Sequence, residues 1–269
     1  MFKEFETGDT VLEGIEFRKD EVQYNLIHQI NGSAGAMKLK TAADNLIYAH
    51  TKGYNPWLWI APSLGAAQRV QLVQQLASQL QETFLPGITA EPEAARLFAE
   101  TWGGIRNISY HTHMTMHAYQ CPVLRQPVHV EGNLRLAGAE DADTIAGFMA
   151  HFIQDAFGQS CEPESMLSLA KATASAGRMY LWLVHETPVA MAQIGHRSAR
   201  YGRINEVFTS RDCRKQGYAS AVVAGVCAKL HREGLIPMLY ADAKNPDSNQ
   251  VYQSLGFLEA GTIADIKFN

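Results

Sequence analysis

In the stretch "GYASAVVAGVCAKLHREG", Ala219, Val222, Val223, Val226, Cys227 and Leu230 recur at three- and four-residue spacing, and Gly234 with Pro237 closes the run. That period predicts an amphipathic helix that starts near Gly217 and lays one apolar stripe on a core. Around it the pattern alternates between helical and extended periods. Strand "LRLAGA" is followed by helices over "DADTIAGFMAHFIQDAFG" and "PESMLSLAKATASAG". Strands "MYLWLVHE" and "PVAMAQIGHR", joined at Thr187-Pro188, and strand "RINEVFTS" lead into the helix. Strand "PMLYADA", short helix "SNQVYQSLGF" and strand "AGTIADIKF" follow it. Mixed strands with interspersed helices describe an α/β (α+β) domain.

The first part of the chain reads less regularly. Helical periodicity runs through "EVQYNLIHQIN" and "AADNLIYAHTKG", then "WLWIAP" reads as a short apolar strand. Val70, Val73, Leu76, Ala77 and Leu80 mark a long helix that Ser63 is placed to cap. A further helix covers "AEPEAARLFAETWG" and a long strand covers "ISYHTHMTMHAYQC". The segment "PVLRQPVHVEG" has two prolines and no sustained period, so a linker is expected near residues 122 to 131. The expected domains are 1–125, an α+β domain, and 126–269.

Length and composition agree with two domains, because 269 residues with 46% apolar side chains exceed what one core usually needs. A net charge of −4 argues against a general nucleic-acid binder or a polybasic membrane-surface protein. The cysteines Cys121, Cys161, Cys213 and Cys227 are widely spaced and form no C-x-x-C, which fits a reducing, cytoplasmic setting. The amino terminus is acidic where a signal peptide would be apolar, and no run approaches the ~20 apolar residues of a membrane span.

Charge is instead concentrated. Between Arg197 and Gln216 six basic residues stand against two acidic ones, so this segment carries +4 within a chain of −4. The run "SRDCRKQGYASA" brings Arg211, Arg214 and Lys215 to Gly217, at the predicted helix start, where unpartnered N–H groups and the helix dipole favour an anion. Glycine leaves the backbone open to a phosphate, and Ala219 and Ser220 keep the next positions small. Neither G-x-x-x-x-G-K-[ST] nor G-x-G-x-x-G is present, which argues against an NTPase or a dinucleotide fold. Alone, the segment could equally be a solvated turn before a surface helix.

Downstream lies "NPDSNQVYQSLGF", and the two segments in this order resemble the GNAT superfamily of acetyl-CoA-dependent N-acetyltransferases. Arg214-Lys215-Gln216-Gly217-Tyr218-Ala219 matches the family's Q/R-x-x-G-x-G/A pyrophosphate loop, and Asn245 with Tyr252 matches its N-x₆-Y arrangement. The resemblance covers about Asn133 to the carboxyl terminus. The run "NP-x-SN-x-x-Y-x-x-LGF" is also similar to acetyltransferases related to the glycine N-acyltransferase-like branch. It implies a GNAT fold for the second domain, acetyl-CoA as co-substrate, and a small-molecule or peptide amine as acceptor. Neither nucleic acid, membrane nor metal is implied, and a homodimer is compatible with the reading.

The resemblance also implies roles. Residues 214–220, including Ser220, would hold the pyrophosphate; Val207, Phe208 and Thr209 would pair their backbone with the pantetheine amides as an added strand does. Asn245 would bond the pantetheine arm, Asn249 joins the cofactor-binding set from a helix-start position, and Tyr252 would protonate the departing thiolate. Glu206 leads as general base, with Asp242 and His196 as rivals and ordered water as an alternative. A protein that binds acyl-CoA without turnover is the other class of reading.

The histidines of "HTHMTMHAYQC" do not change this picture. His111, His113 and His117 share one strand face, but at about 3.3 Å per residue the outer pair lie ~20 Å apart and cannot meet on one ion without a bend. A half-buried strand with Met114 and Met116 toward the core is expected. Cys213 is left out of the mechanism. The order strand, "PSLGAAQ" turn, long helix, helix, strand in the first domain is similar to a degenerate GNAT half that shapes the acceptor cleft. Its turn lacks the basic run, so no cofactor is expected there.

Overall fold

The computed structural model describes residues 2–269. The first half of the chain carries β1 (Phe2–Glu4), α1 (Ile15–Lys19), α2 (Leu26–Asn31), β2 (Met37–Thr41), β3 (Leu46–His50) and β4 (Trp57–Ile60). It continues with α3 (Ala66–Gln79), β5 (Gly87–Ala90), α4 (Pro92–Arg106) and β6 (Tyr110–Gln120). The second half carries β7 (Asn133–Leu136), α5 (Ala142–Phe157), α6 (Pro163–Ser175), β8 (Met179–Val184), β9 (Thr187–Arg197) and β10 (Tyr201–Thr209). It ends with α7 (Tyr218–Arg232), β11 (Ile236–Asp242), α8 (Pro246–Ser254) and β12 (Leu258–Phe268). Strand, two helices, three strands, helix, strand, helix, strand is thus written twice. No sequence repeat announces it, because the two halves share topology rather than side chains.

The chain folds as two compact units, and a single cut at residue 125 does not describe them. One unit comprises 1–119, 240–246 and 259–269; the other comprises 120–239 and 247–258. The carboxyl-terminal strand explains the difference. β12 pairs antiparallel with β5 from Ala264↔Ala90 to Lys267↔Gly87, so it belongs to the sheet of the first unit. Strand pairing is non-local, and hydrophobic period alone carries no record of the partner.

In the first unit the strand order is β1-β2-β3-β4-β5-β12-β6, with β4 and β5 parallel across the α3 crossover. Here the sequence pattern misleads in several places. "AADNLIYAHTKG" contains β3 rather than a helix: all five residues of the strand are buried, so its apolar run shows no period of two. Asp44 takes φ 54° in the turn that joins β2 to it. Strands β1 and β2 are short: β1 offers Phe2 alone as an apolar residue, and β2 alternates Met37 and Leu39 with lysines over only five residues. The helix expected over "EVQYNLIHQIN" is confined to α2, and α3 is capped at Gly65, not Ser63. On β6, Met116 packs against the core while His117 Nδ1 pairs with Glu259 Oε1 at 2.9 Å.

In the second unit the order is β11-β10-β9-β8-β7. β7 to β10 form an antiparallel meander and β10 pairs parallel with β11 through the α7 crossover. His185 and Glu186, both at positive φ, make the tight β8–β9 turn, two residues before the expected Thr187-Pro188. α5 and α6 cover one face, where Ile145, Met149, Met179, Leu181, Met191 and Phe208 share a core. The expected linker is held to its unit rather than free. The Trp182 indole donates to Glu131 O at 2.9 Å, and Arg125 N–H donates to Leu255 O at 2.9 Å.

Candidate active site

The site is built where β10 leaves β11. The two strands are in register from Tyr201↔Ile236 to Arg203↔Met238, while β10 runs on to Thr209. On its other side β10 pairs with β9, but the register slips between Asn205↔Gln193 and Phe208↔Met191. Three steps on β10 match two on β9, which is one extra residue and therefore a bulge. Glu206 occupies it with φ 50°, a left-handed conformation that costs a non-glycine residue about 1–2 kcal/mol. Phe208 beyond the bulge is buried against Phe148 and His151 of α5, which fixes the strand end by packing.

The bulge gives Glu206 an unusual environment. Its Oε2 is buried without a hydrogen-bond partner, and burial raises the carboxyl pKa above the ordinary value, an effect that Arg203 and Arg178 only partly offset. Asn205, the residue before it, likewise has a buried, unpartnered Oδ1. Each such atom costs about 1–3 kcal/mol when left without a partner. The rival bases stand elsewhere. Asp242 Oδ1 accepts the Lys244 N–H at 2.9 Å, and His196 stands opposite Arg203 on β9.

From Thr209 the chain turns into α7. Lys215 and Gly217 adopt φ 62° and 85°, and Gly217 is the N-cap with no side-chain cap bond to the helix. The leading N–H groups of α7, from Tyr218 onward, have no partner within the helix. A Cβ on Gly217 would stand 3.1 Å from Val130 Cγ2, so the glycine answers to space as well as to φ. This is the geometry of an anion cradle. The Tyr218 hydroxyl donates to Gln216 Oε1 at 3.1 Å, which ties down the loop's middle.

The basic side chains, however, are already engaged. Arg211 Nη2 donates to Asp155 Oδ1 at 2.6 Å and to Gln154 Oε1 at 2.9 Å, and Arg214 Nη2 pairs with Asp155 Oδ2. The Arg214 guanidinium also lies 5.7 Å over the Phe208 ring and donates through Nε to Thr209 O. Lys215 Nζ meets Asp247 Oδ2 at 2.5 Å. The local +4 counted along the sequence is therefore smaller in the fold. Asp155, at the end of α5, was invisible to sequence reading because nothing along the chain couples position 155 to 214.

The other site residues fall on or beside α8. Asn245 lies in the turn after β11, its N–H bonded to Asp242 O, and immediately precedes Pro246 at the helix start. Asn249 is in the first turn of α8 rather than ahead of it. Tyr252 is 8% exposed, with its ring 5.7 Å from that of Phe257. Burial and the neighbouring Cys227 push its phenol well above the ordinary range, so it stays protonated and can donate. Cys227 in turn is hydrogen-bonded to Cys121, and burial pushes its thiol up.

Residues 146–257 match the acetyltransferase (GNAT) family's sequence profile, which spans α5 through the end of α8. No curated protein sequence matches the chain. A GNAT-family acetyltransferase from Colwellia psychrerythraea is similar over 100% of both chains at 13% identity and a TM-score of 0.61. A GCN5-related N-acetyltransferase from Kribbella flavida is similar at 16% identity over 94% of this chain and 95% of its own, TM-score 0.60. A Drosophila protein matches at 12% identity over 100% and 98%, TM-score 0.67. At these identities the likeness establishes the fold. The chain is α+β, with a domain of GNAT type in its second half and a GNAT-like fold along its whole length. No helix among the described residues is long and apolar enough to cross a membrane.

Proposed function

We propose that this protein is an N-acetyltransferase that moves the acetyl group of acetyl-CoA to a primary amine by direct attack. One observation carries the reading. The β10 bulge buries a carboxylate oxygen without a partner beside the strand end that leads into the open start of α7. A base, an unpaired strand edge for the pantetheine amides and a cradle for the pyrophosphate follow one another within residues 206–220.

Two proton tasks define the chemistry. An acceptor ammonium, with a reference pKa of about 10.4 if lysine-like, must lose a proton before its nitrogen can attack. Glu206 takes it, and its raised pKa makes it a stronger base than an exposed carboxylate. As the nitrogen bonds to the thioester carbon and the carbon–sulfur bond breaks, Tyr252 gives the sulfur its proton and regains one from the acylated nitrogen. Ammonium and thioester become amide, thiol and one released proton. Backbone N–H groups at the start of α7 hold the pyrophosphate, Val207 to Thr209 hold the pantetheine by their main chain, and Asn245 and Asn249 flank that arm. A small-molecule or peptide amine is the acceptor, in a cytoplasmic setting.

Release of free thiol from acetyl-CoA in the presence of a broad amine panel tests the proposal. The expected outcome is amine-dependent release that falls on the order of 100-fold in kcat for Tyr252→Phe while coenzyme A affinity is kept. Binding of coenzyme A without release for any amine, unchanged by Tyr252→Phe, would instead mark an acyl-CoA-binding protein without turnover.

A further inference from the structure

We infer that the first unit carries a binding site of its own: a cavity past the carboxyl ends of β4 and β5 that takes a free α-amino acid with an apolar side chain, held as its zwitterion. The two strands are parallel, Trp57↔Thr89 and Leu58↔Ala90, and the cavity lies where β4 ends at Ile60 and Glu91 follows β5. Open α/β sheets bind ligands outside such strand ends. The volume is about 280 Å³, just under the ~300–1,000 Å³ of sites for drug-sized molecules, so the cavity suits a smaller one.

Charges of both signs line this cavity and are not paired across it. Asp20, Glu91 and Glu93 share its wall with Arg69, yet among the described residues no carboxylate stands within ion-pair distance of the Arg69 guanidinium. Glu91 is occupied, because its carboxylate accepts the Glu93 and Ala94 N–H groups at 3.1 Å and caps α4. Asp20 is open. One of its oxygens accepts the Trp59 indole N–H at 2.8 Å, the other has no donor among the described residues, and burial raises the carboxyl above its ordinary value.

The donors are open as well. Arg69 gives Nε to Leu64 O at 3.3 Å and Nη2 to Ala61 O at 3.4 Å, which fixes the plane of the guanidinium and leaves its other N–H groups for a ligand. The Tyr24 hydroxyl, on a side chain only 2% exposed, accepts the Glu91 N–H at 2.9 Å, and no described residue takes its own proton. Opposite charges left apart in one partly enclosed space carry the cost of desolvation without the attraction that would offset it. A ligand bearing both charges supplies that attraction.

An α-amino acid fits these partners. Its carboxylate takes the planar fork of Arg69 and the Tyr24 O–H, and its ammonium meets the open oxygen of Asp20. Ile60, Pro62 and Ala94 form the apolar part of the wall, which selects an apolar side chain. A simple anion leaves Asp20 open, and a simple amine leaves Arg69 open.

Calorimetric titration of the whole chain without acetyl-CoA, using L-valine, L-leucine, L-isoleucine and L-methionine, tests this. At least one should bind with a Kd at or below about 1 mM and raise the melting temperature. The amide of that amino acid, which lacks the carboxylate, and its N-acetyl form, which lacks the ammonium, should each bind at least about tenfold more weakly. Arg69→Gln should lower the affinity on the order of tenfold or more, and so should Asp20→Asn, which keeps an oxygen for Trp59 without the charge. The two positions lie on different elements, so one variant serves if the other does not melt cooperatively. Binding that survives both substitutions, equal binding of the amide and N-acetyl forms, or no binding of any of the four amino acids overturns the inference. Each of those outcomes leaves acyl transfer by the second unit standing, because the titration reads binding and not thiol release.

Discussion

The two halves of the chain reach the same topological point, the loop between a central strand and the crossover helix of a parallel pair, and resolve it differently. In the second half the loop ends on Gly217 at φ 85°, with no side chain capping α7. In the first half α3 starts at Gly65 with φ −67°, and the Gly65 N–H is taken by Gln68 Oε1 at 3.3 Å. Nearby charge differs too: the loop before α7 carries Arg211, Arg214 and Lys215, each paired with a carboxylate. A cavity of about 280 Å³ at the end of β4 is lined by Asp20, Glu91 and Glu93 with Arg69 as its cation, and Arg69 donates to the carbonyls of Leu64 and Ala61. An anion cradle needs N–H groups left open at the helix start. One half has kept that condition, and the other has the fold without it.

Introducing a carboxylate at each glycine is the strongest way to break the comparison. Gly217→Glu adds a side chain against Val130 at an αL position and puts a negative charge where the pyrophosphate would sit. Like-charge juxtaposition costs several kcal/mol, so coenzyme A affinity should fall on the order of 1000-fold or more. Gly65→Glu, with ordinary φ and only the far end of Gln68 within reach, should leave that affinity unaltered. Calorimetric titration of both variants decides it. Normal affinity in Gly217→Glu would sink the assignment of the loop, and a loss in Gly65→Glu would show that the first half also binds.

Glu206 sharpens the contrast from the chemical side. As a base it must be ionised, and burial holds its folded pKa above 4.5. kcat/KM should therefore fall as pH drops through that raised value, and Glu206→Gln should lower kcat about 100-fold and abolish this acid limb. Stability moves the other way. A carboxyl whose folded pKa is raised binds its proton more tightly folded than unfolded, so folding loses free energy as pH rises from the unfolded pKa through the folded one. At neutral pH the variant should melt higher than the parent, by about 2–4 °C per kcal/mol recovered. A lower melting temperature with an intact acid limb would place the base elsewhere.

Much of the second half was legible along the chain because its signals are local. The α7 stripe, the glycine before it and the N-x₆-Y run each lie within one element and its neighbouring turn. The bulge at Glu206 was not legible, since Asn205, Glu206 and Val207 read as ordinary strand residues and only the β9 register exposes the extra one. Asp155 was silent for the same reason: its importance lies in partners about sixty positions away. In the first half, β3 was misread because burial on both faces erases the period of two. The exchange of β12 into the first unit could not be seen at all, as it is a choice of partner rather than of conformation.

The smallest expected effect concerns what the arginines are for. Arg211 and Arg214 converge on Asp155, and the Arg214 pairing is continuous with the packing of Phe208 on α5. If these arginines position the loop rather than hold phosphate, Asp155→Asn should weaken coenzyme A binding only about three- to tenfold, since partly exposed pairs contribute ~0.2–1 kcal/mol each. Burial pulls the Asp155 carboxyl up, but the hydrogen bonds from Arg211 and Arg214 outweigh it and the net direction is down. A lowered carboxylate pKa contributes stability that is present above the unfolded value and is lost only as pH falls through the folded one, below 3.8. The loss of affinity should therefore be flat between pH 5 and 8 and shrink with added salt. A gain in affinity would show the reverse arrangement, in which Asp155 competes with the phosphates for the same guanidinium groups.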